Sequence, residues 1–418
     1  MKTNLPFHWQ IKRLGDVCKT TSGGTPSRKN NGYYNGDILW VKSGELDKGV
    51  IYDTEEKITL EAVNNSSAKV FPKGTLLIAL YGATIGKMAF LGVDAATNQA
   101  ICGIFENKNV VSKYLYYFLF LKKPSLIDQG IGGAQPNISQ GILKNLQIPI
   151  PPLPEQEQIV AKIEELFSEL DAGVENIKTA QEQLKVYRQS LLKWAFEGKL
   201  TNEDVKDGEL PKGWKWLKIQ QVCHNVEYGS SSKSKKDGKV PVLRMGNIQN
   251  GRFDWSDLVY SDNDDEIKKY LLKKNDVLFN RTNSPELVGK TAIYKAERPA
   301  IFAGYLIRIN YKEKELSPDY LNYYLNSGGA KKYGNSVKTD GVNQSNINGQ
   351  KLKNYPIPLP CFDEQLKIVE ELESRLTVCD KLEEDVKFSL ARAESLRQSI
   401  LKQAFEGKLV NFNGETDK

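Results

Sequence analysis

The sequence predicts an α+β protein: two similar globular domains joined by two long helices packed as an antiparallel coiled coil, related by a pseudo-twofold internal repeat. Three observations predict it. The phrase SLLKWAFEGKL at Ser190–Leu200 returns as SILKQAFEGKL at Ser399–Leu409, 209 residues later. Each phrase closes a long stretch whose apolar residues recur at heptad spacing. Each stretch follows a region in which short apolar runs alternate with Gly/Asn/Ser turns, as in a small mixed domain.

The repeat extends leftward from the phrase without a gap. Glu155-Gln156 falls on Glu364-Gln365, Ile159-Val160 on Ile368-Val369, and NLQIPIP (Asn145–Pro151) on NYPIPLP (Asn354–Pro360). Gln135, Asn137 and Ile138 fall on Gln344, Asn346 and Ile347. Further upstream the match loosens. LPFHW (Leu5–Trp9) answers LPKGW (Leu210–Trp214), WVKSGELDKG (Trp40–Gly49) answers VLRMGNIQNG (Val242–Gly251), and YLYYFL (Tyr114–Leu119) answers YLNYYL (Tyr320–Leu325). The expected boundaries are a first domain over 1–150, a helix over 151–200, a second domain over 201–358, a second helix over 359–410 and a polar tail over 411–418.

In each domain the strands are expected at the apolar runs. They are DILWVKSG, GTLLIALYG and AICGIFEN in the first, and VPVLRMGN, NDVLFNRT and YLIRIN in the second. Helices should follow at Ser112–Lys122 and Pro318–Leu325. The first long helix should occupy Glu155–Phe196, with Pro154 suited to its first turn and acidic residues at the positive end of its dipole. Its seam is Ile163, Leu170, Ile177, Leu184 and Leu191, with Leu166, Ala180, Tyr187 and Trp194 three positions further on. In the second helix the seam is Leu372, Cys379, Val386, Ala393 and Ile400, accompanied by Leu382 and Leu396. Gly198 and Gly407 are natural C-terminal stops. A rod with one apolar stripe is unstable alone, so the two copies are expected to pack on each other, head to tail. The other arrangement docks each rod into its own domain or into a partner.

Composition and motifs exclude several chemistries. The net charge of +6 on 418 residues permits an anionic partner without demanding one. The N-terminal segment lacks a signal-peptide pattern, and no stretch approaches the roughly 18 apolar residues of a membrane helix. The five cysteines form no CxxC pair and read as buried thiols of a reducing compartment, hence a cytoplasmic protein. GATIGKM (Gly82–Met88) is one residue short of a phosphate-binding loop, and SPELVGKT has Ser284 where the first glycine belongs. The acidic run Asp262–Glu266 has Ile267 where a calcium loop needs glycine, and reads as a solvated turn. The two histidines, His8 and His224, occupy non-equivalent repeat positions, which argues against a histidine-based site.

What remains suits contact with nucleic acid. SGGTPSRKNN (Ser22–Asn31), with Thr25, Ser27 and Arg28, and GSSSKSKKDG (Gly229–Gly238), with Ser232, Lys233, Lys235 and Lys236, combine hydroxyls and cations that suit phosphates. NRTNS carries Arg281 and Asn283, residue types that read guanine and adenine edges. GAQPNIS with Gln135 and Asn137, and GVNQSNIN with Asn343 and Gln344, are amide-rich loops at matching places. Lys42 and Arg244 match each other in the repeat, as do Lys87, beside Thr84, and Lys290. These residues are the candidate contacts.

The order LPxxW, SGGTPS-type loop, PLPEQEQIV junction (Pro152–Val160), long helix and AFEGKL end, given twice, resembles the specificity subunit of type I restriction-modification systems over essentially the whole chain. The second junction, PLPCFDEQLKIV (Pro358–Val369), departs at Cys361 and Asp363. The resemblance implies that the two divergent domains are target recognition domains 1 and 2, and that the helices separate them. It implies a non-catalytic chain that binds double-stranded DNA at a bipartite, asymmetric target. It further implies docking of two methyltransferase subunits and, through them, a restriction/translocase subunit. No cofactor is expected on this chain; S-adenosylmethionine, ATP and magnesium belong to the partners. The runner-up is an orphan DNA-binding or scaffold protein of the same fold without active partners.

Overall fold

The computed structural model describes residues 5–129, 137–202, 204–206 and 208–411. The chain divides into two compact units, one of residues 1–177 with 388–418, the other of residues 178–387. The division cuts both long helices, Leu153–Phe196 and Phe362–Phe405. The start of the first helix shares a unit with the end of the second, and the end of the first shares a unit with the start of the second. The two helices therefore pack together antiparallel.

In the first unit a five-stranded sheet runs in the order Thr20–Ser22, Ile101–Ile104, Leu76–Ala79, Met88–Leu91, Val50–Ile51. A four-stranded sheet is centred on Tyr34–Val41 and Ala95–Thr97. Leu76–Ala79 and Ile101–Ile104 are buried throughout, so they read as unbroken apolar runs and not as alternating ones. The second unit has a four-stranded sheet ordered Cys223–Tyr228, Leu306–Tyr311, Val277–Asn280, Thr291–Ile293, and a three-stranded one centred on Val240–Leu243. The helix expected at Pro318–Leu325 has those bounds; its counterpart runs longer, Ser112–Asp128, with Pro124 inside it.

Each domain is tied to its rod by the same devices. The strand after LPxxW pairs antiparallel with the proline-rich lead-in: Gln10 with Ile150 in one unit, Lys215 with Leu359 in the other. The Tyr114 hydroxyl donates to the Pro149 carbonyl at 2.8 Å, and Tyr320 to Pro358 at 2.6 Å. Gln156 and Gln365, both fully buried, make three hydrogen bonds each. Gln156 accepts from the Val111 amide at 2.8 Å and donates to the carbonyls of Asn109 (3.1 Å) and Pro151 (2.8 Å). Gln365 does the same with the Ser317 amide (2.8 Å), Glu315 (2.9 Å) and Pro360 (3.2 Å). The repeated Glu-Gln pair is thus the bolt of each junction, a role that spacing did not disclose.

The repeated phrase closes both units. Phe405 packs edge-on against Tyr114 and Phe118, with ring centroids 4.9 and 5.1 Å apart. Phe196 does so against Tyr320 and Tyr324, at 5.1 and 5.2 Å. The second copy of the phrase therefore completes the first unit's core, and the first copy completes the second's. Gly407 adopts φ +71° beside Pro6, and Gly198 adopts φ +77° beside Pro211. A Cβ on Gly198 would lie 2.1 Å from the Pro211 Cγ. Gly198→Ala is therefore expected to cost about 1–3 kcal/mol, from left-handed backbone plus displacement of Pro211, measured by urea denaturation.

Along the seam, Ile163, Leu191, Leu372, Cys379 and Ile400 are buried, while Leu170, Ile177, Leu184, Val386 and Ala393 are half-buried. Of the companions three positions on, only Leu166 is partly covered. Ala180, Tyr187, Trp194, Leu382 and Leu396 face solvent, because a single pair of helices covers one stripe of each. Charge pairs flank the seam: Arg188 with Asp380 at 2.6 Å and Glu383 at 3.3 Å, and Arg397 with Asp171. Four cysteines are buried, and burial pushes the Cys18 and Cys102 thiols up to about 11 and about 12. Cys361 is exposed, against the expectation of uniformly buried thiols. No helix among the described residues is long and apolar enough to cross a membrane.

Candidate nucleic-acid interface

The central strand Val277–Asn280 of the second unit is fully buried, and the chain leaves it at Arg281. The Arg281 guanidinium lies over the Tyr228 ring, 4.9 Å from its centroid; among the described residues it has no carboxylate partner, and its Nε hydrogen is unmatched. The Tyr228 hydroxyl in turn accepts from the Gly349 amide at 2.7 Å, which fixes the ring. Thr282–Asn283 then joins a small sheet, with Ser345–Asn346 in the middle and Thr339–Asp340 beyond. Thr339–Asp340 and Ser345–Asn346 are joined by an exposed loop, closed by the Gly341 amide donating to the Gln344 carbonyl at 2.8 Å. This brings Arg281, Asn283, Asn343 and Gln344 to one edge. The Asn283 side-chain oxygen accepts from the Ser284 amide at 2.8 Å. Lys290 returns beside the same strand, its carbonyl accepting from the Asn280 amide at 2.8 Å.

The equivalent edge of the first unit has different chemistry. The Ile138 amide donates to the Leu80 carbonyl at 2.8 Å, as the Ile347 amide donates to that of Arg281 at 2.9 Å. The residue in the arginine's place is thus Leu80, which is buried. Asn137 bridges to Tyr81, beside the turn that carries Thr84 and Lys87, and the Lys87 ammonium reaches Asp47 at 3.3 Å. That turn uses left-handed Gly82 and Gly86, which explains a glycine–lysine pattern that is no phosphate loop. Gln135 lies outside the described residues.

The other cations are largely balanced. Arg28 stacks on Tyr34 (4.3 Å) and Trp40 (5.2 Å) and pairs with Glu56 at 2.7 Å. Lys42 pairs with Glu55 at 2.7 Å and with Glu56 at 3.1 Å. The Arg28 hydrogen bond holds the Glu56 carboxyl below its ordinary range, and Lys42 does the same for Glu55. Thr25 donates to Gln99, and the Ser27 carbonyl accepts from the Asn30 amide. In the second unit Ser232 donates to Glu266 at 2.7 Å, Lys235 pairs with Asp262 at 2.9 Å, and Arg244 pairs with Asp257 at 3.0 Å. Lys233 and Lys236 are exposed and, among the described residues, unpaired. The acidic run, expected as a solvated turn, starts the helix Asp264–Tyr270, capped by Asn263, and engages Lys235 and Ser232 of the lysine loop. Tyr228, Thr282 and Asn346 belong to the edge and were not singled out by the sequence. The aromatic beneath Arg281 comes from a strand 53 residues earlier, so no local pattern could reveal it. Among the described residues, no three His, Cys, Asp or Glu side chains come together to hold a metal.

The geometry defines two similar scaffolds with unlike polar edges, a class suited to recognising a polymer and not to transforming a small molecule. The chain matches the family described as "Type I restriction modification DNA specificity domain" twice, over residues 6–184 and 211–391, and it belongs to that family. It is the DNA specificity subunit, a non-catalytic component, of a type I restriction-modification system. It is 28% identical to the EcoKI specificity subunit of Escherichia coli (strain K12), over 97% of this chain and 90% of that protein. It is 26% identical to the MjaVIII specificity subunit of Methanocaldococcus jannaschii, over 97% and 94%. Among solved structures, the HsdS subunit from Thermoanaerobacter tengcongensis superposes with a TM-score of 0.62, at 22% identity, over 97% of this chain and 98% of that one. A chain solved in work on assembly and conformational transition of the type I system gives 0.78, also at 22% identity, over 97% and 99%.

Proposed function

We propose that this subunit reads a bipartite, asymmetric double-stranded DNA target, one half through residues 1–150 and the other through residues 201–358. The observation that carries this is the exchange of Arg281 on Tyr228 for Leu80 at the same strand end of two similar scaffolds. A stacked arginine without a carboxylate partner is free to offer paired donors to a guanine edge, and a buried leucine is not. The two half-targets should accordingly differ. The candidate contacts divide by the same logic. Arg281, Asn283, Asn343 and Gln344 sit where bases could be read, whereas Lys233 and Lys236 suit phosphates.

The long helices support docking of methyltransferase subunits, through which a restriction/translocase subunit would join; S-adenosylmethionine, ATP and magnesium would act on those partners. The second unit exposes Val186 (66%) and Val378 (58%) on its helices, and the first exposes Phe388 (68%). Apolar side chains this exposed on a rod suit burial by a protein partner.

The test is co-expression with the cognate methyltransferase subunits, followed by genome-wide mapping of methyladenine. Arg281→Ala should relax the requirement for one base pair in one half of the target, by about 1–3 kcal/mol, and leave the other half as strict as before. A methylation map that does not change, or one that loosens in both halves, would count against the assignment.

A further inference from the structure

The two units differ at one more matching place, and there the second unit opens a cavity. The equivalence is set by backbone pairing. Leu76 faces Phe90 as Val277 faces Ile293, and the Phe90 and Ile293 amides donate to the carbonyls of Gly49 and Gly251. Both glycines are left-handed, with φ +71° and +78°. In the first unit this corner is filled by rings: Phe90 lies 5.6 Å from Tyr116, which stacks on Phe120 at 6.3 Å. Beside them Lys87 is neutralised by Asp47 at 3.3 Å.

In the second unit every one of these features is altered. Tyr116 and Phe120 are answered by Asn322 and Asn326. Asn322 donates to the Gly251 carbonyl at 3.0 Å, and Asn326 to that of Thr291 at 2.9 Å. Asp47 is answered by Gln249, and Val50 by Arg252, so the corner loses a negative charge and gains a positive one. The result is a cavity of about 490 Å³, which Arg188, Arg252, Lys290 and Lys331 line together with Asp380 and Glu383. Both carboxylates are engaged by Arg188, at 2.6 and 3.3 Å. The Arg188 Nε hydrogen is buried and unmatched. Among the described residues, the Arg252, Lys290 and Lys331 side chains have no hydrogen-bond or ion-pair partner. Partial desolvation and the neighbouring Lys290 charge lower the Lys331 pKa.

We propose that this cavity is a phosphate-oxyanion site that takes one backbone phosphodiester of the DNA, anchoring the second half-target where the first unit has no equivalent grip. Unpaired cations gathered at one place neutralise a phosphate and release its counterions. Continuity favours DNA as the source. The Lys290 carbonyl accepts from the amide of Asn280, the residue before Arg281, and the helix Gly328–Val337 carrying Lys331 leads into Thr339–Asp340 of the reading edge. The proposal rests on the reading of the second unit as a DNA-recognition domain.

The experiment uses the full chain assembled with its methyltransferase subunits and the target duplex found by methyladenine mapping. Each phosphate in turn is replaced by a neutral methylphosphonate, for the wild type and for Lys290→Gln/Lys331→Gln. One position is expected to weaken wild-type binding about tenfold and to have no effect in the double variant, whose salt dependence should fall by about one phosphate. Sequence preference should not change. Asn322→Tyr/Asn326→Phe, which restores the first unit's ring filling, should abolish the same coupling, and thermal melting shows whether each variant folds. Identical phosphate profiles for wild type and variants would overturn the proposal. If inorganic phosphate or pyrophosphate raises the melting temperature of the wild type alone while no DNA phosphate couples, the site serves a free anion and the DNA source is wrong. Loss of the methyltransferase subunits from the double variant, with an unchanged phosphate profile, would assign the cavity to a protein carboxylate and also overturn it. Retained target-specific binding in any of these cases leaves the two-half reading intact. A wild-type complex without sequence-specific binding would defeat that reading itself.

Discussion

Phe405→Ala is expected to destabilise the first unit by about 3–5 kcal/mol, although the residue lies in the last helical turn of the chain. Phe405 is 5% exposed and sits edge-on to Tyr114 and Phe118, in the core that also holds Ile400, Leu401 and Ala404. Truncation leaves a cavity among rigid rings that cannot collapse, so both the transfer term and the cavity term apply. Hydrogen exchange localises the effect. Amides of the helix Ser112–Asp128 should lose protection, while those of Pro318–Leu325, which pack on Phe196, should keep theirs. Equal loss in both helices would show that the phrase acts on the molecule as a whole and not on the unit it plugs.

Gln365→Leu should cost at least about 3 kcal/mol, more than a surface glutamine could. The side chain is fully buried and serves the Ser317 amide and the carbonyls of Glu315 and Pro360. Leucine fills a similar volume but strands three backbone groups, each worth roughly 1–3 kcal/mol when left unmatched. Chemical denaturation measures the loss. Methylation mapping gives a second readout, since a loosened junction no longer holds the second domain in register with its rod. Gln156→Leu should behave alike in the first unit, where Val111, Asn109 and Pro151 would be stranded. A loss below about 1 kcal/mol would mean that water enters and replaces the amide.

Repetition made much of the architecture legible. Heptad spacing located both rods to within a few residues, because a helix repeats its face every few positions and a long proline-free run offers no competing structure. The stops at Gly198 and Gly407 were readable for the same local reason. The seam was half legible: one stripe is buried, but Tyr187, Trp194, Leu382 and Leu396 face out, since periodicity marks apolar stripes without saying what covers them. The candidate edge was partly legible. Arg281 and Asn283 stood out as base-reading residue types, but Tyr228, which orients the arginine, comes from a distant strand. The lysine loop looked like a phosphate contact, yet Asp262 and Glu266 occupy much of its capacity.

By itself, then, the sequence determined that the chain is a doubled protein with two rods and two divergent heads, because duplication and heptads are written in residue order. Tertiary structure alone decided which helix end completes which core, which cations remain unpaired and where the second unit is hollow. Those outcomes depend on side chains far apart in sequence, such as Phe405 with Tyr114 or Lys87 with Asp47. Burial and charge neutralisation are settled by neighbours in space, and no local pattern carries them.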